Sequence, residues 1–170
     1  MSDDIRNDDA AESRDVAPAR FVDDYLAFLL AQASRRISHE FHREVEAAGL
    51  SITEWRVLAS LEGSEGETIS ALCILALTKQ PTLSKVVQRM ETDGLVTRTR
   101  VHSDRRQTVV QITPKGHSLT ENLRDRAIRH QQAVLEPFGQ DNARMLIAML
   151  KDLLALHPPT GMADDLGSEA

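Results

Sequence analysis

The sequence predicts a mainly helical fold carrying one small β-hairpin. Two observations lead there. Apolar residues recur at three- and four-residue steps along most of the chain. One stretch, residues 95–112, instead reads as two β-branched runs around a polar tip. About six helices and one hairpin are expected, with no internal repeat.

Residues 1–17 carry six acids and few apolar anchors, which predicts a disordered acidic tail. The first helix is expected over 18–48. Leu26, Leu30, Ala33, Ile37, Phe41 and Val45 make its stripe, widened by Phe21, Tyr25, Phe28 and Leu29. A helix of that length, roughly 45 Å at 1.5 Å per residue, outruns a small core. A second subunit is the economical partner for its excess. Gly49 closes it, and Ser51 with Glu54 forms a capping-box pattern that opens the next helix. Trp55, Leu58 and Leu61 then line one face. Gly63 and Gly66 mark a loop, and Thr68–Ala76 reads as a short helix.

A helix with two faces is expected from Thr78 or Gln80 up to Gly94. Leu83, Val86, Val87 and Met90 fall on one side. Gln80, Thr82, Ser84, Lys85, Gln88 and Arg89 are left for the rest of its surface. Long donors and small hydroxyls are the side chains that reach base edges and phosphates in a major groove. Pro81 suits a first helical turn and Gly94 a helix end. The strands 95–101 and 107–112 follow, with Asp104, Arg105 and Arg106 in the tip between them. A groove-type helix followed by a hairpin with arginines at its tip is the plan of a winged helix. The bland reading is an amphipathic helix with a solvated face, then a surface hairpin.

A polar helix is expected over 114–136, with Leu119, Leu123, Ile128, Val134 and Leu135 buried. Pro137 and Gly139 break it from a last helix, 140–156, whose leucine-rich stripe is wider than a lone monomer needs. Residues 158–170 read as a flexible tail.

Charge distribution tests the nucleic-acid reading. The whole chain carries −6, which argues against it. The tails hold that charge: residues 1–17 sum to −4 and 158–170 to −3, leaving the body at +1. Within the body, 78–116 sums to +5. A basic patch on a near-neutral body is the footprint of a nucleic-acid binder. No apolar run reaches the roughly 18 residues of a membrane span. The acidic N-terminus has no apolar signal core, so a cytoplasmic protein is expected. The single cysteine, Cys73, excludes an internal disulfide and reads as a small core residue.

Three motifs in order carry a family resemblance. Residues 49–58 read Gly-Leu-Ser-Ile-Thr-Glu-Trp-Arg-Val-Leu. Residues 80–85 read Gln-Pro-Thr-Leu-Ser-Lys, with Gly94-Leu95-Val96 after them. Asp104-Arg105-Arg106 is followed, five residues later, by Ile112-Thr113. Together they resemble the MarR family of bacterial winged helix-turn-helix transcriptional regulators over about residues 20–156, with Ile112 where the family shows leucine. The resemblance implies an obligate homodimer. Residues 18–48 and 114–157 would form its helical dimerisation region, and 49–113 its DNA-binding lobe. It implies binding to a palindromic operator, usually as a repressor. It also implies release by a small, often aromatic, acid.

On that reading, Thr82, Ser84, Lys85 and Gln88 face bases, and Gln80 and Arg89 lie nearer phosphates. Arg106 enters the minor groove while Asp104 holds the tip by pairing with an arginine. Phe21, Leu26, Leu29, Leu150, Leu153 and Leu154 are expected between subunits. Arg35, His39 and His42 share one sector of the first helix and, with Trp55 as a wall, are the expected effector site. An enzyme is not expected: no phosphate loop, Gly-x-Ser-x-Gly elbow or constrained carboxylate pair is present. No cofactor is implied. Two alternatives stay open. One is a zinc-responsive regulator using His39 and His42, three residues apart. The other is a DNA-free interaction module of the same fold.

Overall fold

The computed structural model describes residues 20–101 and 104–159, without the side chains of 100, 101 and 104–107. The expected acidic tail, and all but the start of the C-terminal one, lie outside the described residues. The chain divides into two compact units, residues 1–36 and 37–170.

In the N-terminal unit the chain starts as a 3-10 turn, Phe21–Asp23, before α1, Leu26–Ala47, begins. The helix expected from residue 18 is therefore shorter, roughly 33 Å. Asp23 explains the late start. Its carboxylate accepts the Arg20 backbone N–H at 3.1 Å and an Arg20 guanidinium N–H at 2.9 Å, which closes a local turn.

The C-terminal unit continues with the remainder of α1 and α2, Ile52–Leu61, opened by the expected capping box. A two-residue strand, β1, Glu67–Thr68, leads into α3, Ile69–Leu75. Then come α4, Gln80–Thr92, the hairpin β2, Val96–Val101, and β3, Asp104–Ile112, followed by α5, Pro114–Leu135, and α6, Gly139–Leu156. The sheet is antiparallel in the order β1-β3-β2. β1 escaped the sequence reading because two residues carry no alternation. Thr68 ends that strand and also caps α3, accepting the Ala71 N–H at 3.1 Å.

β3 starts at Asp104, three residues earlier than expected, because Val101 pairs with Asp104 across an irregularity beside Arg100. Asp104, Arg105 and Arg106 therefore belong to the strand rather than to a free tip. Val45, Val57, Leu58, Leu61, Leu72, Leu83, Val87, Met90 and Val110 are completely buried and join α1, α2, α3, α4 and β3 into one core. Each such side chain contributes about 1.5–3 kcal/mol. α5 departs from expectation at Ile128, which is half exposed; its fully buried residues stop at Leu123. α6 has no buried residue.

Candidate DNA interface and ligand cavity

α4 is held by one face and open on the other. Leu83, Val87 and Met90 are fully buried, which fixes the rotation of the helix about its axis. Gln80, Thr82, Ser84, Lys85, Gln88 and Arg89 are all exposed as a consequence. Lys79 is the N-cap residue and Pro81 sits in the first turn. Beside that turn lies a polar cleft of about 320 Å³, lined by Thr68, Ile69, Ser70, Gln80, Ser84, Arg98 and Thr108. Hydroxyls and one guanidinium converge there, the donor set that suits a phosphate. Thr68, Ser70, Arg98 and Thr108 were not singled out from sequence. Only the fold brings their three separate segments together.

The hairpin is tied to α4. Arg98 donates its backbone N–H to Glu91 Oε1 at 3.1 Å and its Nε–H to Oε2 at 2.7 Å. Those bonds, led by the Arg98 side chain, hold the Glu91 carboxyl below its ordinary value. Lys115 reaches back from α5 to donate to the Asp93 carbonyl at 2.7 Å. Gly94, with φ +71°, makes the turn between α4 and β2. The side chains of Asp104, Arg105 and Arg106 lie outside the described residues.

A carboxylate beneath α4 meets Arg89. Glu54 is buried on α2, and Arg89 donates to its Oε1 from Nε at 3.1 Å and Nη2 at 2.9 Å. Ser51 donates to Oε2 from its backbone at 2.8 Å and its hydroxyl at 2.7 Å. Burial pushes this carboxyl upward, but the bonds from Ser51 and Arg89 outweigh it and hold its pKa low. Arg89, expected near phosphates, is thus anchored from below while its side chain stays 59% exposed.

A second cavity, about 390 Å³, opens among α1, α2, α5 and α6. Its walls include Ile37, Phe41, Ile52, Trp55, Val134, Leu146 and Leu150, and its polar groups are Ser38, His42, Arg56, His130 and Gln131. Phe41 packs edge-on to Trp55, centroids 5.4 Å apart, and tilted against His130 at 5.9 Å. His130 Nε2 is buried 3.5 Å from a Glu40 oxygen, outside hydrogen-bond geometry, and has no hydrogen-bond partner among the described residues. Arg56 lines the cavity and donates from Nη1 to the Ala76 carbonyl at 3.3 Å. Burial, then the charge of Arg56, lowers the pKa of His42.

Of the expected effector residues, His42 and Trp55 line this cavity and His39 does not. Arg35 belongs to the N-terminal unit. Arg56 and His130 are the polar groups that sequence reasoning missed. Arg56 was visible in the motif at 49–58, but nothing in the sequence placed α5 opposite it.

Phe21, Leu26 and Leu29 are exposed in the N-terminal unit, and Leu154 in the C-terminal unit. Leu150 and Leu153 are half-buried. Cys73 is buried, and burial raises its thiol pKa. Among the described residues, no three His, Cys, Asp or Glu side chains are placed to share a metal ion. No helix among them is long and apolar enough to cross a membrane.

Comparison with known proteins agrees with this architecture. A family model described as "MarR family" matches residues 48–107, from the end of α1 into β3. A MarR family transcriptional regulator from Silicibacter pomeroyi is 35% identical, with a TM-score of 0.71 over 82% of this chain and 100% of that one. The transcriptional repressor CouR, solved on a 23-mer DNA duplex, is 26% identical, with a TM-score of 0.67 over 78% of this chain and 94% of its own. NadR, solved with 4-hydroxyphenylacetate, is 25% identical, with a TM-score of 0.70 over 81% of this chain and 95% of its own. With its buried α4 stripe, its clamped hairpin and these similarities, the chain belongs to the MarR family of winged-helix transcriptional regulators.

Proposed function

We propose that the chain is a homodimeric repressor that binds a palindromic operator and leaves it when a small aromatic acid occupies the 390 Å³ cavity. The exposed polar face of α4 carries this reading. Gln80, Thr82, Ser84, Lys85 and Gln88 are presented together because Leu83, Val87 and Met90 are locked into the core. α4 lies in the major groove, Lys85 meets a guanine edge, and the hairpin with Arg106 follows the adjacent minor groove. The polar cleft at Thr68, Ser70 and Arg98 takes a backbone phosphate. The 23-mer duplex bound by CouR supports the DNA reading.

Dimerisation rests on unpartnered apolar surface. Phe21 is 78% exposed, Leu154 is 71% exposed and no residue of α6 is fully buried. A second copy covers both sets, and a two-fold dimer reads an inverted repeat. The ligand reading rests on a mainly apolar cavity with a guanidinium at its edge. The 4-hydroxyphenylacetate in NadR supports it. A carboxylate held by Arg56 competes with the carbonyl of Ala76, the C-cap residue of α3 just before the turn into α4. Release follows only if the ligand prefers the DNA-free arrangement.

Selection from a randomised duplex pool, with the oligomeric state measured in parallel, tests the proposal. An inverted repeat with half-sites about one helical turn apart, bound by a dimer, is the expected outcome. A single half-site bound by a monomer would contradict it.

A further inference from the structure

We propose that the ligand site has a second chamber that accepts a neutral hydrogen-bonding tail on the aromatic acid. This rests on the ligand reading above and adds what the far end of the ligand must be. A smaller cavity of about 180 Å³ lies between α2 and α5, lined by Trp55, Ala59, Glu62, Thr120, Arg124, Ala127, Ile128 and Gln131. Trp55, Ala127 and Gln131 line the larger cavity as well, so the two cavities adjoin at these side chains. Gln131 is exposed and unbranched, and its rotation opens the partition without disturbing the core. Trp55, half-buried and packed edge-on against Phe41, stays as the wall.

The polar groups of the second chamber specify the tail. Arg124 offers N–H donors, and its Nη1 lies 3.6 Å from Glu62 Oε1, a loose pair that leaves room for an inserted group. Glu62 is the acceptor, 16% exposed, with His117 Nδ1 3.0 Å from its other oxygen. A donor on α5 and an acceptor at the C-cap of α2 match a hydroxyl or an amide, which both accepts and donates. A second carboxylate would meet Glu62 and be repelled. An alkyl tail would offer neither group a hydrogen bond. The ligand class is thus an aryl acid, its carboxylate at Arg56, with a hydroxyl or amide tail opposite.

Calorimetric titration of the full chain tests this with three probes: phenylacetate, 4-acetamidophenylacetate and 4-isopropylphenylacetate. The wild type should bind the acetamido acid at least tenfold more tightly than the isopropyl acid of similar size. In Arg124→Met that preference should vanish, while phenylacetate affinity stays within twofold. Gln131→Ala should retain or raise the preference, because the partition is then open. Equal affinity for the two long probes in the wild type, or a preference that survives Arg124→Met, would overturn the second chamber while phenylacetate binding still upholds the ligand reading. Failure of all three to bind would sink the ligand reading and the chamber with it.

Discussion

Glu54 accepts both Nε–H and Nη2–H of Arg89 on a single oxygen, at 3.1 and 2.9 Å, and so ties the first turn of α2 to the last turn of α4. The next two residues of α2, Trp55 and Arg56, line the 390 Å³ cavity. One turn of helix therefore touches both α4 and the proposed ligand site.

This relationship predicts a pH-dependent stability. The Glu54 pKa is lowered by folding. Its stabilisation is complete above the ordinary carboxylate value of about 4.3 and is lost as pH falls through the lower folded value. Glu54→Gln should cost about 1–2 kcal/mol at pH 7, less than a fully buried pair because Arg89 is mostly exposed. Urea unfolding of both proteins from pH 7 to pH 3 should show the difference shrinking with acid. A difference constant with pH would remove the ionised Glu54 from the explanation.

The hairpin clamp predicts a selective loss. Glu91→Ala frees Arg98 from α4 without touching the core. DNA affinity should fall several-fold, with the thermal midpoint within a few degrees of wild type. An unchanged affinity would mean the hairpin needs no anchor.

Gly116 predicts a packing limit. A Cβ there would press on the Leu95 carbonyl and crowd Ile112. The carbonyl is backbone and cannot swing aside, so Gly116→Ala should destabilise by about 1–3 kcal/mol. Chemical denaturation measures it, and a neutral substitution would show that α5 shifts freely on the hairpin.

His42 links the cavity to protons. Its folded pKa is lowered by burial and Arg56, so it is mostly uncharged at pH 7.5. A bound carboxylate favours the protonated ring and draws a proton in. Affinity for phenylacetate should rise as pH falls from 7.5 to 6 and level off in His42→Phe. The same slope in both proteins would place the proton elsewhere.

Much of this architecture was legible in the sequence because side-chain periodicity and caps are local. The stripe Leu83, Val87 and Met90, the Ser51–Glu54 box and the glycines at 49 and 94 each specify structure from neighbours alone. What was missed depends on long-range pairing. Asp104 joins β3 because of Val101 across the hairpin. Glu54 binds Arg89 from 35 residues away. The cavity takes Arg56 from α2 beside His42 from α1, because α5 and α6 complete its walls. Angle along one helix says which residues share a sector, not what stands opposite.

Lys85 is exposed on the open face of α4, so Lys85→Ala tests whether that face reads base sequence. Affinities of wild type and variant are measured at one salt concentration on the duplex recovered by selection and on a scrambled duplex of equal length. A guanine contact predicts a loss of about 1–3 kcal/mol on the selected site and a much smaller loss on the scrambled one. Equal losses on the two duplexes would make Lys85 a phosphate contact and contradict base reading by this face of α4.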